Sequence, residues 1–275
     1  MTKIAVDGDV LVYSCGFAAQ RNIHTLWLGD RELGKFEYKK ELQEAWEQDA
    51  PCHYTTEIEA EPVANALHNV RLAMEQILDE CKGSNYKVYL SGKENYRQGF
   101  YPEYKANRDP THKPVHYSSI KSYLIDHWHG TVVEGIEADD AIGIAGYCHD
   151  AIMASIDKDL LMIPGTHYHL KSNKQITIKE AEGNLIFLRQ WLTGDVTDNI
   201  PGIKGLGPKK AEKILPDGIE CSTGWSAVME TYPTKEEAEL NGSLVWILRE
   251  QLKERNQKEV MDQIRRLLSV ESLER

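Results

Sequence analysis

The sequence lacks a long apolar run and a CxxC cysteine pair, and each absence excludes a class of protein. No run of 18 apolar residues occurs among its 275 residues, so we expect no transmembrane helix. The five cysteines are scattered, which argues against a zinc module and fits reduced thiols in a reducing cytosol. No charged-then-apolar signal segment precedes the first predicted strand, so we expect a cytoplasmic protein.

The chain also lacks an excess of positive charge, but its basic residues are unevenly distributed. The net charge of −11 by itself argues against nucleic acid as a ligand. From Lys87 to Lys121, however, seven basic residues face three acidic ones, and Pro201 to Lys213 holds four lysines and one acid. The overall sign is therefore a poor guide to the partner.

Acidic residues are present in short blocks that directly follow apolar runs. Asp7 follows Ile4–Val6, and three further blocks cover residues 137–140, 157–159 and 194–199. Any single block could equally be a solvated loop or a helix cap. Four such blocks in one chain predict a cation site, because carboxylates repel one another unless cations neutralise them. Oxygen ligands suit Mg²⁺ or Mn²⁺, and two such ions can promote an in-line phosphoryl displacement.

Strand-like and helix-like segments alternate, which predicts an α/β fold with a parallel, doubly wound sheet. The predicted strands are Ile4–Val6, Lys87–Leu90, Thr131–Val133, Ala151–Ile156 and Tyr168–Leu170. The predicted helices are Pro62–Cys81, Ser118–Trp128, Ala138–Cys148, Asn184–Thr193 and Gln257–Leu268. Ligands bind at the carboxyl ends of such strands, so Asp7, Glu137 and Asp157 are expected at one edge.

We place a domain boundary near residue 180. Residues 1–180 are expected to form the sheet domain and 181–275 a mainly helical domain, in which 216–242 are expected to be loops.

A basic, aromatic segment interrupts this alternation. Tyr96–Tyr117 carries three prolines, four tyrosines and most of the basic cluster. A long insertion at the carboxyl end of a strand favours a loop that grips a substrate, although composition alone also fits a solvated surface loop.

Ile203–Ala211 has the pattern of a helix–hairpin–helix motif. Two glycines permit a tight turn whose backbone N–H groups can approach a phosphate, and a proline suits the first turn of the next helix. Such contacts bind nucleic acid without sequence preference. The residues expected to contact DNA here are Lys204, Gly205, Gly207, Lys209 and Lys210.

Five blocks in this order resemble the flap-endonuclease family of structure-specific 5′ nucleases, and look closest to bacteriophage 5′–3′ exonucleases. The blocks are Val6–Asp9, Tyr104–Arg108, Glu137–Asp140, Ser155–Asp159 and Gly194–Gly207. The resemblance implies a PIN-like nuclease core, a helical arch over about residues 92–118, and a helix–three-turn–helix DNA-binding domain.

The resemblance also implies the roles of individual residues. Two Mg²⁺ or Mn²⁺ ions would be held by an acidic cluster of Asp7, Glu137, Asp139, Asp140, Asp157, Asp159, Asp195 and Asp198. The first ion would lie mainly at Asp7, Glu137, Asp139 and Asp157, and the second at Asp159, Asp195 and Asp198. Lys105 and Arg108 would position the scissile phosphate and stabilise developing charge. Tyr104 would stack on a terminal base, and the hairpin would hold duplex together with a K⁺ ion.

One departure from the family pattern concerns the end of the second predicted strand. Family members usually carry a further metal-site Asp there, whereas this chain has Leu90-Ser91-Gly92. Asp9 is an extra acid that would compensate, or equally a solvent-facing residue or a helix N-cap.

The expected function is a Mg²⁺-dependent 5′–3′ exonuclease or flap endonuclease. Its partners would be double-stranded DNA with a free 5′ end, a nick or a flap, and replication proteins. We expect a monomer that does not associate with membranes and that acts in the host cytoplasm if it is encoded by a phage. Two alternatives remain: a catalytically weak protein that binds DNA ends, which the complete acidic set disfavours, and a PIN-type ribonuclease, which the hairpin disfavours.

Overall fold

The computed structural model describes residues 2–46, 51–109 and 111–268. The strands are β1 (Lys3–Asp7), β2 (Gln20–Leu28), β3 (Arg31–Phe36), β4 (Cys52–Ala60), β5 (Asn85–Asn95), β6 (Thr131–Gly135), β7 (Ile152–Ser155), β8 (Gly165–His169) and β9 (Lys174–Ile178). The helices are α1 (Gly8–Ala18), α2 (Lys39–Ala45), α3 (Val63–Glu80), α4 (Tyr117–Trp128), α5 (Ala138–His149), α6 (Glu180–Thr193), α7 (Pro208–Ile214), α8 (Cys221–Thr231), α9 (Lys235–Val245) and α10 (Gln257–Leu267).

Six strands form the central sheet in the order β6-β5-β1-β7-β8-β9. All neighbours pair in parallel except β8 and β9, which are antiparallel. From Ile4 onward β1 is buried, and its continuous apolar run is typical of a strand covered on both faces. Because the chain continues from β1 to strands on either side of it, the carboxyl end of β1 is a topological switch point, where α/β sheets bind ligands. The predicted fold class is confirmed.

The sheet and the helical part of the chain share one apolar core. This core contains Ile142 from α5 and Leu160 beside the sheet, together with Phe187 and Trp191 from α6 and Trp246 after α9. The indole of Trp191 donates a hydrogen bond to the carbonyl of Ala238 (2.7 Å), which fixes α6 against α9. The carboxyl-terminal part of the chain therefore packs against α5 and against the turn that follows β7.

The ten predicted strands and helices are all present, but several elements were not predicted. An antiparallel sheet, β3-β2-β4, lies between α1 and α3. Most of β4 is exposed, so its sequence lacks the alternation of a half-buried strand. The expectation that 216–242 forms loops was wrong, because α8 and α9 occupy most of it. The side chain of Thr234 caps α9 by accepting a hydrogen bond from the N–H of Glu237.

The arch segment, defined as residues 92–118, is not helical in the way expected. After the end of β5 it makes a short 3₁₀ turn at Tyr96–Gly99, and residues 100–109 and 111–116, the described part that follows, form turns and irregular backbone. Lys105 has a positive φ of 58°, which interrupts any helix.

Among the residues that the structure describes, no helix is long and apolar enough to cross a membrane.

Candidate functional site

The first carboxylate of the site, Asp7, lies at the carboxyl end of β1 and is only 2% exposed. One of its oxygens caps α1 by accepting the N–H of Val10 (2.9 Å), and the other accepts the hydroxyl of Ser155 at the end of β7 (2.6 Å). Burial, with the charges of Asp9 and Asp157, raises the pKa of Asp7 to about 7. The strand order therefore places an acid where its charge is unfavourable unless a cation lies nearby.

Further acids crowd the same edge of the sheet. In the first turn of α5, burial and the charges of Asp7 and Asp157 raise the pKa of Asp139 well above its usual range. Burial and the charge of Asp157 raise the pKa of Asp159 to about 7. Asp195 accepts hydrogen bonds from the N–H groups of residues 197 and 198. The chain has gathered carboxylates whose mutual repulsion a divalent cation would relieve.

Glu137 differs because two cations lie against it. Burial alone would raise its pKa, but the charges of Lys105 and Arg97 outweigh burial and lower it to about 2. Lys105 donates to one carboxylate oxygen, and the hydroxyl of Tyr104 donates to the other (2.7 Å). Glu137 is thus ionised and already compensated by the protein.

The two predicted catalytic cations lie directly beside the acids. Lys105 contacts Glu137 and lies 3.4 Å from a carboxylate oxygen of Asp198, while Arg108 pairs with the other oxygen of Asp198. Half of the Arg108 side chain is exposed, compared with 18% of that of Lys105. The arch segment therefore brings its positive charges to the carboxylates at the sheet edge.

Nine acids line two neighbouring cavities, and Asp9 and Glu134 border only the larger of them. We call the other seven the carboxylate cluster: Asp7, Glu137, Asp139, Asp157, Asp159, Asp195 and Asp198. The smaller cavity, about 180 Å³, contains all of them except Asp7. The larger, about 1120 Å³, contains Asp7, Glu137, Asp139 and Asp157, and Lys105 and Arg108 border both.

As the side chains stand, no three acids, histidines or cysteines of the described residues form a ready cation site. Two of the predicted ligands, Glu137 and Asp198, hold Lys105 and Arg108 instead. The donor set nevertheless fits Mg²⁺ or Mn²⁺, since it consists of carboxylate oxygens. Burial and repulsion between neighbouring acids raise the pKa values of three of these carboxylates, Asp7, Asp139 and Asp159.

Asp140 was predicted as a metal ligand, and the structure gives it a different partner. Asp140 is fully buried, and its two oxygens accept a fork of hydrogen bonds from Arg97 (2.8 and 2.9 Å). The same oxygens accept the N–H groups of Glu137 and Leu248. With both oxygens engaged, Asp140 has no free direction toward a cation, and we remove it from the ligand set.

The prediction that Tyr104 stacks on a base was also wrong. Tyr104 is 3% exposed, and its hydroxyl donates to Glu137 and approaches Asp198 at 3.2 Å. Its ring is therefore part of the core beneath the carboxylates rather than a surface for a base.

Sequence reasoning missed the aromatic and basic wall of the larger cavity. Tyr13 and Phe17 lie on α1 and contact Tyr117 and His112, with ring centroids 5.6 and 5.2 Å apart respectively. Lys93, Lys113 and Lys121 line the same cavity. The available signal was the pair Tyr13 and Phe17, two aromatic residues four positions apart in the segment that follows Asp7.

Asp9 lies beside the position of the missing family acid. One of its oxygens accepts the N–H of Ser91 (3.0 Å), and the helix cap is Asp7, so the N-cap interpretation of Asp9 is wrong. A side chain at Gly92 would collide with the carboxylate of Glu134 and the carbonyl of Val133. The fold thus leaves no room for an acid at position 92.

The hairpin motif, Ile203–Ala211, lies at the surface and leads into α7 at Pro208. A side chain added at Gly205 or Gly207 would meet nothing within 4 Å, so both backbone positions are open to a ligand. Gly205 has a φ of 75°, which favours glycine. Lys204 and Lys210 border a shallow cavity of about 380 Å³ beside these glycines, and Lys210 donates to the Gly205 carbonyl (2.7 Å).

Comparison with known proteins supports the fold and the family resemblance. No protein-family model matches the chain. The flap endonuclease Xni of Shewanella pealeana is 30% identical over 139 residues, which cover 44% of this chain and 54% of that protein. The chain resembles the flap endonucleases. DNA polymerase I of Rhizobium leguminosarum is 33% identical over 148 residues, 46% of this chain and 14% of the polymerase.

The fold likeness extends over almost the whole chain. The D15 protein of T5, crystallised with metal ions, superposes with a TM-score of 0.57 at 15% identity and covers 98% of this chain and 96% of its own. The sequence likeness is narrower, since the chain spans about half the length of the Xni relative and a seventh of the polymerase.

Proposed function

We propose that this protein is a metal-dependent 5′ nuclease that hydrolyses phosphodiester bonds near the 5′ ends of duplex, nicked or flapped DNA. The observation that carries the proposal is the carboxylate cluster at the switch point of the sheet, with Lys105 and Arg108 bordering both of its cavities. The flap endonuclease and DNA polymerase relatives favour DNA over other phosphodiesters.

The residues divide between two cation positions. We assign Asp7, Glu137, Asp139 and Asp157 to the first Mg²⁺ or Mn²⁺, and Asp159, Asp195 and Asp198 to the second. When bound, two such ions stabilise the attacking and leaving oxygens of an in-line displacement.

The positively charged side chains of Lys105 and Arg108 act separately from the metal ions. The scissile phosphate is an anion that Lys105 and Arg108 can hold in place of Glu137 and Asp198, with which they pair in the structure. Positive charge that is already oriented at the reacting phosphate stabilises the charge that develops there. The aromatic wall of the larger cavity offers ring faces to the bases of the 5′ strand, with lysines for its phosphates.

The first test is cleavage of end-labelled duplex, nicked and flapped DNA in Mg²⁺, with and without EDTA. We expect short products from the 5′ end that require the metal. Binding of DNA ends without cleavage in Mg²⁺ or Mn²⁺ would instead support the binding protein, and preferential cleavage of single-stranded RNA would support a PIN-type ribonuclease.

Loss of the arch cations should slow chemistry more than it weakens binding. We expect Lys105→Ala and Arg108→Ala each to reduce the single-turnover rate on the order of 10²–10³-fold, because one preorganised charge at the reacting phosphate is lost. Single-turnover rates and DNA affinities measured side by side check this. Lys171→Ala, at an exposed lysine between β8 and β9, is the matched control. Equal losses of rate and affinity would make both residues ordinary phosphate contacts.

The hairpin should contribute binding that depends on salt and not on sequence. Lys209→Ala with Lys210→Ala should weaken DNA binding alike for all sequences and reduce the salt slope by roughly one unit for each lost phosphate contact. Gly207→Val should weaken binding by obstructing the backbone, and the K⁺ dependence of binding tests the proposed K⁺ ion. Affinity across a salt series is the measurement. The double variant Lys39→Ala with Lys40→Ala, on the exposed face of α2, is the control and should leave the salt slope unchanged. An unchanged salt slope in the hairpin variant would contradict the proposal that the hairpin lysines contact DNA phosphates.

A further inference from the structure

The arch segment is attached to the turn that precedes the hairpin motif by a reciprocal pair of side-chain amides. Asn107 donates its side-chain N–H to the carbonyl of Val196 (2.7 Å), and Asn199 donates its own to the carbonyl of Glu103 (2.8 Å). Between them, the backbone N–H of Lys105 donates to the carbonyl of Asp198 (2.9 Å). Three hydrogen bonds therefore join residues 103–107 to residues 196–199, and we call this junction the asparagine latch.

The latch holds two residues whose backbone conformation is unfavourable. Lys105 and Asn199 both have a φ of 58°, in the left-handed region that residues other than glycine seldom adopt. Asparagine tolerates this region better than most residues, but lysine does not, so Lys105 needs support from outside its own segment. The described residues around it form turns and supply no regular ladder of backbone hydrogen bonds.

The partner segment is itself firmly held. Asp195 and Ile200 exchange two backbone hydrogen bonds (2.9 and 2.7 Å), which close the turn that contains Asn199. Two residues further on, the N–H of Gly202 donates to the side chain of Asn241 on α9 (2.9 Å). The segment that receives the arch is thus anchored to the helical core and continues directly into the hairpin motif.

We propose that Asn107 and Asn199 are positioning residues that fix Lys105 and Arg108 over the carboxylate cluster and tie the arch segment to the hairpin. The proposal rests on the proposed nuclease function for its effect on rate. Both side-chain amides are uncharged, and each donates a hydrogen bond to a backbone carbonyl. Their contribution is therefore to position the neighbouring cations.

The latch can be tested without DNA, because trypsin cleaves after Lys105 and Arg108, the two cations that the latch positions. We expect Asn107→Ala to speed cleavage after Lys105 and Arg108 by about 2- to 10-fold, the factor that one net hydrogen bond supplies to the closed state. Asn199→Gly should do the same while still permitting the positive φ. Mass spectrometry of the fragments, scaled to cleavage after the exposed Lys171, gives the rates.

The nuclease readout separates positioning from binding. Both variants should lose a similar factor in single-turnover cleavage while keeping the DNA affinity of the wild type. Asn107→Leu, which keeps the size, lacks the N–H donor and adds no charge, should behave like Asn107→Ala. The matched control is Asn65→Ala, which removes an exposed amide that bonds to Glu61 at the start of α3. It should change neither trypsin cleavage nor DNA cleavage.

Two results would overturn the proposal. One is trypsin cleavage after Lys105 and Arg108 that is no faster in either variant than in Asn65→Ala. The other is a loss of DNA affinity equal to the loss of rate, which would make the asparagines DNA contacts. If the wild type cleaves no DNA, the proposed function fails, but the trypsin rates still decide whether the latch exists.

Discussion

Replacing Asp139 by asparagine is expected to abolish DNA cleavage while leaving DNA binding largely intact, and Asp157→Ala is expected to do the same. Each substitution removes an oxygen ligand from the proposed first cation position, whereas the lysines of the arch and of the hairpin are unchanged. Cleavage and binding of one labelled flap substrate in Mg²⁺ are the measurements. Asp126→Ala, at an exposed position of α4, is the control and should cleave normally.

A second readout of Asp139→Asn does not depend on activity. In the folded protein the pKa of Asp139 is raised well above the usual value of 3.8 by burial and by neighbouring carboxylates. Between pH 3.8 and the raised pKa of the folded protein, Asp139 loses its proton in the unfolded chain but keeps it in the folded protein. Without metal, the wild type therefore loses stability as the pH rises toward the folded pKa. Asparagine carries no such cost, so in EDTA the variant should unfold at a higher temperature than the wild type at pH 7–8.

Adding Mg²⁺ should reverse this order. A ligand that binds only the folded state stabilises it, so Mg²⁺ should raise the unfolding temperature of the wild type and have a smaller effect on Asp139→Asn. Near-normal cleavage by Asp139→Asn or Asp157→Ala, or equal stabilisation of wild type and Asp139→Asn by Mg²⁺, would refute the assignment of these residues to the metal site.

Loss of Arg97 is expected to cause the largest loss of stability. Arg97 is 2% exposed and forms the buried fork with Asp140, and it also donates to the carbonyls of Leu244 (3.1 Å) and Trp246 (2.6 Å). Arg97→Met would leave the Asp140 carboxylate buried and unpaired, which typically costs about 3–5 kcal/mol of unfolding free energy. Because the amino end of α5 is tied to this pair, Glu137 would also lose its fixed position.

Urea unfolding of Arg97→Met and the wild type measures this effect. Arg71→Met is the matched control, because Arg71 pairs with Glu75 on the exposed face of α3 and should contribute less than about 1 kcal/mol. The double variant Arg97→Met with Asp140→Leu should recover part of the loss, since it removes the unpaired charge. A cost for Arg97→Met no larger than that for Arg71→Met would contradict the structural role that we give to the fork.

The sequence was most informative where a local pattern has one physical meaning. The apolar run of β1 followed by Asp7, and the acid blocks after the later strands, predicted both the parallel sheet and the edge at which the acids meet. The hairpin could also be predicted from local sequence. The two glycines permit the tight turn, the proline suits the first turn of α7, and the adjacent lysines supply positive charge.

The sequence was least informative where a side chain has several possible partners. Asp139 and Asp140 are adjacent acids in one turn of α5, yet one faces the carboxylate cluster and the other is buried against Arg97, 43 positions earlier in the chain. The family resemblance implied that Tyr104 stacks on a base, but the packing of the arch segment directs its hydroxyl toward Glu137. Local pattern cannot distinguish these cases, since the direction of a side chain depends on what the rest of the fold places beside it.

The sequence by itself determined the α/β class, the sheet edge at which Asp7, Glu137 and Asp157 gather, and the hairpin, because each depends on residue type and on spacing along the chain. The roles given to Lys105 and Arg108 came from the family resemblance. Only the tertiary structure decided that Arg97 neutralises Asp140, that aromatic rings from α1 and α4 line the larger cavity, and that two asparagines join the arch to the hairpin. These features arise from contacts between residues tens of positions apart, whose geometry exists only once the sheet order and the helix packing are fixed.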